Sequence, residues 1–456
     1  MSKKSAISKV YAAIISVIIV VAAIAAIYYT ISIPKAPSQQ VEVNIYTINW
    51  RLDEYNKELS EWLNATMPNV KAKFIGLADY DKDIITLLVN APEKVDICLS
   101  RGPAWRSWAK AGWLTPLDNI PGMTELKGKS YPGIVEAGSL NNSWYSIPWY
   151  TSVQFMYYNK RILQEAGFDH PPNTWEELVN QSLIIKQKGL CEYPLAFTFI
   201  ARTLRLERLW RIISATMTND KEPIHWDNDL SPLYLGNDSA GYKALQFMHD
   251  IIYKWGIASE GILTLDWTQE ITLMGKGTYA FCAEAGYNIK TLNNPDVSKE
   301  AGNIDYMLWP DSHYNTAGDD GGFVVTRFAM EKGDDHKLAV QKIYRYICSP
   351  EWKKKMDAIP WLLECTYPEV NNDPEVRAEV AKYGNATIRE ESIGFARSLA
   401  IDVNPLNVRT TWSAEFDTTY VIPILSNAVR GATSTGDALN AIYQGFLTLK
   451  GKYGLG

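Results

Sequence analysis

The sequence predicts an α/β protein. Strands and helices alternate over residues 41–112, strand-type runs recur between 144 and 326, and the last hundred residues carry apolar stripes at helical spacing. VEVNIYTI, from Val41, alternates apolar and polar with period two, as a half-buried strand does. Tyr55, Leu59, Trp62, Leu63 and Met67 then share one helix face. VKAKFIG reads as a second strand, YDKDIITLLVN as a second helix and KVDICL as a third strand. PAWRSWAKAGWL follows as a short helix ending at Gly112. Short links in such a series predict a mostly parallel sheet flanked by helices.

The middle of the chain continues in the same style with signs of a second lobe. WYSIPWYTSVQFMYYNK is strand-rich and crosses Pro148. In PPNTWEELVNQSLIIKQKG, Thr174 stands as N-cap with Glu177 three residues on, a capping box, and Gly189 suits the stop. YPLAFTF, GTYAFCAE, NIDYMLWP and GGFVVT read as strands, and Leu245, Met248, Ile251, Ile252 and Trp255 as a helical stripe. Leu338, Val340, Ile343, Tyr344 and Ile347 line the helix before Ser349-Pro350, where proline opens the next one. Phe416, Tyr420 and Ile424, then Leu439, Ile442, Phe446 and Leu449, mark helices near the C-terminus.

Composition narrows the function classes. The 456 residues, 46% hydrophobic, suffice for two or three domains with their own cores. A formal charge of −6 gives no reason to expect nucleic acid as a partner. The 16 Trp and 26 Tyr exceed the ordinary demand of a core, and such rings suit the lining of a cleft, with plain packing the alternative for any one of them. Cys98, Cys191, Cys282, Cys348 and Cys365 include no CxxC and no Cys/His cluster, so neither metal nor cofactor is expected. Cys98 and Cys282 read as small core residues. Cys348 with Cys365 is the first pair to test for a disulfide if the compartment is oxidising.

Residues 1–40 read as an address. Lys3, Lys4 and Lys9 precede residues 10–34, which carry no charge and are long enough to cross roughly 30 Å of hydrocarbon as a helix. The basic flank places the N-terminus inside and the remainder outside. The length of the apolar run and the lack of a small-x-small exit favour a retained anchor over a cleaved signal. The KKSAIS start resembles archaeal pilin-like signals, which implies trimming near Ser5 with the anchor kept. Asn-x-Ser/Thr triplets start at Asn64, Asn141, Asn180, Asn237 and Asn385, in keeping with export.

Four stretches resemble the extracellular solute-binding proteins of carbohydrate ABC importers, the family that includes maltose-binding protein. They are KVDICLSRGPAWRSWAKAGWLTPLD, WYSIPWYTSVQFMYYNKRILQEAGFDHPPNTWEEL, ITLMGKGTYAFCAEAGYN, and GGFVVTRF with the Ser-Pro-Glu-Trp helix downstream. The resemblance implies a two-lobe periplasmic-binding-protein-like α/β fold with a ligand cleft between the lobes, to which the apolar run adds one preceding N-terminal transmembrane helix. It places lobe 1 at 41–148 and 311–355, and lobe 2 at 149–310 and 356–456, with crossings near residues 147–149 and 308–310. It further implies capture of a sugar without catalysis, delivery to ABC permease subunits, and hinge closure as the signal. The location implied is the cell surface, tethered to the membrane by the N-terminal helix.

Open α/β sheets bind ligands beyond the C-terminal ends of their strands. That geometry selects Asn49 and Trp50, followed by Arg51; Ser100, Arg101 and Trp105; Trp149 and Tyr150 at the first crossing; and Glu284 and Tyr287. Asp319 and Asp320 precede GGFVVT, Trp361 follows the Ser-Pro-Glu-Trp helix, and Trp412 opens a later one. Aromatic faces cover the C–H face of a pyranose, and charged or amide groups bind its hydroxyl rim. Each residue has a packing or surface alternative: Arg101 can pair with a surface carboxylate, and Asp96, inside its strand, reads as structural. A glycoside hydrolase using Glu284 with Asp320 is the enzyme rival. No GxSxG, HExxH or phosphate-loop motif occurs, and the five histidines are scattered. The binding-protein rival takes a peptide, polyamine or anion instead of a sugar.

Overall fold

A computed structural model describes residues 40–455 except 152, 202–204, 219–224, 228, 313–320, 399–405 and 407–409. The expected membrane-spanning stretch therefore lies outside the described residues, and no described helix is long and apolar enough to cross a membrane. Eleven strands are described: β1 Val41–Ile48, β2 Val70–Leu77, β3 Ile97–Leu99, β4 Ser139–Leu140, β5 Ser143–Trp144, β6 Ile147–Pro148, β7 Gln154–Asn159, β8 Leu195–Ala196, β9 Phe281–Ala285, β10 Ile304–Met307 and β11 Gly322–Val325. Two sheets result, ordered β2-β1-β3-β11-β6 and β10-β7-β9-β8, with β4-β5 a small hairpin apart from them. The molecule is an α/β protein of two lobes, one built on each sheet.

The first sheet starts parallel, as the alternation predicts: β1 pairs with β2 and with β3 in the same direction. Strand β11 closes it antiparallel, between β3 and β6. Helix Leu52–Thr66 buries Tyr55, Leu59 and Leu63 against the sheet, while Trp62 lies flat on Tyr346 at 4.2 Å. Asp96, fully buried, serves structure: it accepts the Asn44 N–H at 2.9 Å, Lys332 Nζ at 2.7 Å and His336 Nε2 at 2.8 Å. A buried carboxylate is tolerated when donors surround it in this way, and these tie the sheet to the segment after β11.

The second sheet is mixed. Strand β7 runs antiparallel to β10 and β9, and β8 parallel to β9. Helix Trp175–Gln187 starts at Thr174, whose hydroxyl accepts the Glu177 N–H at 3.0 Å. The reciprocal half of the expected capping box is displaced: the Glu177 carboxylate takes the N–H of Asn173, one residue further back, at 2.7 Å. Helix Thr435–Tyr453 buries Leu439, Ile442, Phe446 and Leu449 on the second lobe's core, the stripe read from the sequence.

The chain passes between the sheets at 149–153, after β6, and again between β10 and β11. The third return falls later than residue 356. Ser349 caps Pro350–Trp352, and the helix then runs on as a π-helical stretch, Lys353–Ala358, before Ile359–Trp361. Continuity keeps the buried face of this helix on the first lobe. Met356, Ala358, Cys365, Tyr367, Val370 and Val376 accordingly pack with its core.

All five cysteines are free thiols and all are buried, Cys348 and Cys365 included. Burial pushes both of those thiols up to about 12. Native protein should therefore resist a thiol-specific chromogenic reagent while the unfolded chain titrates five groups, and reductant should leave the melting temperature unmoved. Rapid native labelling, or a Tm lowered by reductant, contradicts this packing.

Glu270, on helix Trp267–Gly275, is fully buried and accepts the Ala283 N–H at 3.2 Å and the Thr198 hydroxyl. Burial pushes its carboxyl from 4.5 up to about 8, against the opposing pull of Arg205 and its hydrogen bonds. Between those two values the folded carboxyl holds a proton that the unfolded one has lost, so this group costs stability as pH rises. The Glu270→Gln variant should therefore gain on wild type when melting is followed from pH about 5 to about 8. Parallel melting curves across that range would rule out the neutral carboxyl.

Candidate functional site

At the end of β1 the backbone turns sharply. Arg51 is left-handed, with φ 56°, and Leu362, where helix Ile359–Trp361 stops, adopts the same conformation with φ 56°. Left-handed non-glycine residues cost of order 1–3 kcal/mol each and persist where the surroundings impose them. The two flank one contact: Trp50 precedes Arg51, Trp361 precedes Leu362, and the indoles meet edge to face at 5.4 Å.

From there a row of rings crosses between the lobes. Trp50 meets Trp149 at 5.2 Å, Trp149 meets Tyr150 at 5.7 Å, and Tyr150 meets Tyr287 at 5.9 Å, all edge to face. Trp50, Trp149 and Tyr150 pack with the first lobe, and Tyr287 with the apolar cluster that includes β7, β9 and β10 of the second. Trp149 is buried, Trp50, Tyr150 and Tyr287 are half-buried, and Trp361 is 37% exposed. The free ring surface thus lies toward the ends of the row.

A polar relay supports it from below. Trp149 Nε1 donates to the Tyr55 hydroxyl at 3.1 Å, and that hydroxyl donates to Asp357 Oδ1 at 2.5 Å. Lys353 Nζ donates to the Trp149 carbonyl and lies 3.7 Å from Asp357 Oδ2. Lys353 and Asp357 are both buried. Burial pushes the Asp357 carboxyl up, and Lys353, the Tyr55 hydroxyl and Arg51 partly offset it.

The linking segments are bonded side by side. Thr151 N donates to the Glu364 carbonyl at 2.8 Å, and Gly286 N to the Val153 carbonyl at 3.0 Å. The buried Glu364 carboxylate lies 3.8 Å from Arg389, whose Nη2 also donates to the Leu362 carbonyl at 2.8 Å. A Cβ at position 286 would run into the Glu364 carboxylate and the Phe155 ring, so glycine is needed for β9 to end this close. On the second lobe Glu284 is buried against the Arg205 guanidinium and takes the Ala285 N–H at 3.2 Å. Burial raises the Tyr287 hydroxyl, with Tyr150 and Glu364 adding and Arg205 opposing, so these groups share one locality.

The structure thus brings together Trp50, Trp149, Tyr150, Tyr287 and Trp361, with Glu284 beneath the second lobe's side. Asn49 is exposed beside Trp50. The others lie elsewhere. Ser100 is a turn-former, accepting the Trp105 N–H at 2.9 Å and donating to the Gly102 carbonyl at 3.3 Å. Arg101 is exposed and pairs with Asp81 at 2.9 Å, the surface alternative. Trp105 is fully buried between the Arg106 guanidinium and Tyr145. Trp412 sits in the second lobe's core on Phe446, its Nε1 donating to the Gly454 carbonyl at 3.0 Å. Strand-end position selected the first three and a helix start selected Trp412, but their side chains turn into packing or solvent. Asp319 and Asp320 lie outside the described residues. Tyr55, Arg205, Asp357, Glu364 and Arg389 escaped the sequence reading: they are distant in the chain and no spacing signals them. Arg51, next to Trp50, was within reach of the strand-end rule.

Solved structures with this architecture include maltose-bound MalE3 of T. maritima (21% identity, 90% of this chain and 100% of that one, TM-score 0.71). A solute-binding protein of Agrobacterium vitis with bound D-mannitol is also similar (16% identity, 90% and 99% covered, TM-score 0.66). The mannitol-binding protein of Pseudomonas aeruginosa is 22% identical over 207 residues, 44% of this chain and 45% of that protein. The matches to curated relatives span less than half of the relatives' length. Residues 52–354 match the family model described as bacterial extracellular solute-binding protein. The chain therefore belongs to the bacterial extracellular solute-binding protein family.

Proposed function

We propose that this protein captures a sugar or sugar alcohol in the gap between its lobes and hands it to an ABC transporter by hinge closure, held on the outer face of the cytoplasmic membrane by its N-terminal helix. The row Trp361–Trp50–Trp149–Tyr150–Tyr287 carries this reading, because it runs from one lobe to the other through the hinge segment. Ring faces suit the C–H surface of a polyol, and Arg205, partly exposed over the buried Glu284, supplies a charged donor for hydroxyls. Ligand seated on residues of both lobes favours the closed arrangement, which is the state a membrane partner can sense. The printed ligands of the structural neighbours, maltose and D-mannitol, are of this chemical kind. Against the hydrolase alternative, Glu284 is buried and ion-paired with Arg205.

Titrating the full-length protein with maltose, mannitol and a panel of mono- and oligosaccharides tests the reading. Ligand at 100 times Kd should raise stability by about 2.7 kcal/mol. Indifference to every sugar and polyol would sink it, and release of reducing ends would reinstate the hydrolase. Trp361→Ala should weaken binding about tenfold with little change in melting, because the ring is partly exposed. Trp149→Ala should instead cost about 3–5 kcal/mol of stability, as deletion of a packed indole does. Calorimetry on both variants separates the two roles; equal affinity in Trp361→Ala removes that ring from the site.

A further inference from the structure

The half-exposed end of the aromatic row contains a cation of its own. The Arg51 guanidinium carbon lies 4.6 Å from the Trp361 ring centroid, 4.9 Å from Tyr55 and 5.2 Å from Trp50. All three distances fall within the range of cation–π attraction. Two carboxylates complete the surroundings, Glu54 at 2.7 Å and Asp357 at 3.7 Å, and Arg51 Nη1 donates to the Met356 carbonyl at 2.5 Å. The Arg51 side chain is 4% exposed, so the guanidinium fills the space between the rings. Three aromatic walls with acidic groups behind them are the chemistry that recognises an onium ion such as a quaternary ammonium.

We infer that Arg51 is a specificity-determining residue. It occupies an aromatic cage at the edge of the ligand gap as a resident cation, and so reserves that gap for neutral ligands. The inference rests on the reading of this gap as the ligand site. A cationic ligand would have to displace the guanidinium from the rings and from both carboxylates at once. At this end of the row a neutral sugar needs only the outer face of Trp361, which stays partly open. Placement of the arginine by a left-handed turn, at a conformational cost, keeps its short reach aimed back over its neighbours Trp50 and Tyr55.

Replacement by glycine isolates the effect, because glycine adopts φ of 56° without strain and leaves the rings in place. The full-length Arg51→Gly protein, checked for folding by its melting curve, is titrated calorimetrically with tetramethylammonium chloride at constant ionic strength. Arg51→Asn serves as a second neutral variant that tolerates the left-handed backbone. Arg51→Lys keeps the positive charge. The expected result is that the neutral variants bind tetramethylammonium at least about tenfold more tightly than wild type, while the lysine variant matches wild type. Folded glycine and asparagine variants that ignore tetramethylammonium as wild type does would overturn the inference. A wild-type protein silent toward every sugar and polyol of the panel would instead overturn the reading of the gap, whichever way the cation titration falls.

Discussion

The Tyr55 hydroxyl accepts the indole N–H of Trp149 and donates its own hydrogen bond to Asp357, and the aromatic row between the lobes is built outward from that relay. Its three members come from the helix after β1, the first crossing segment and the π-helical stretch after Ser349. A buried carboxylate without partners would cost several kcal/mol, so Asp357 demands Tyr55, Lys353 and Arg51 around it. That demand fixes Trp149 from beneath and Arg51 from the side. Trp50 and Trp361 follow, because each neighbours a residue in the left-handed conformation beside the same cluster.

The two lobes have different responsibilities in this arrangement. The first supplies a rigid floor, with Lys353, Asp357 and Trp149 all withdrawn from solvent. The second supplies Tyr287 and the Arg205–Glu284 pair at the end of β9. Between them the described linking segments are joined by main-chain hydrogen bonds and by the Glu364–Arg389 contact. A binding protein needs this division: rigid walls preserve the shape of the site, and a narrow linkage lets ligand contacts decide how far the lobes close.

Much of the fold was legible because it follows from local patterns. The parallel start of the first sheet came from period-two and helical apolar stripes, and Ser349-Pro350 and Thr174 marked helix starts by side-chain capping chemistry. The reading weakened where continuity overrode a boundary. A π-helical stretch carries the chain past residue 356 on the first lobe, and no residue spacing announces it. Trp50, Trp149, Tyr150 and Tyr287 were legible as residues beyond strand ends and Trp361 as one beyond a helix, whereas Trp105, chosen by the first rule, and Trp412, chosen at a helix start, went into cores.

The sequence by itself determined the class of fold, the order of most elements and an excess of tryptophan and tyrosine positioned after strands. These are matters of periodicity and local stereochemistry, which neighbours in the chain decide. Only the tertiary structure decided which rings line up between the lobes, which arginine lies among them and which carboxylates are bound in pairs. Arg51 meets Asp357, Tyr55 meets Trp149, and Glu364 meets Arg389 across separations of 25 to 306 residues. Such partners are chosen by packing and desolvation in three dimensions, and those forces leave no period in the chain.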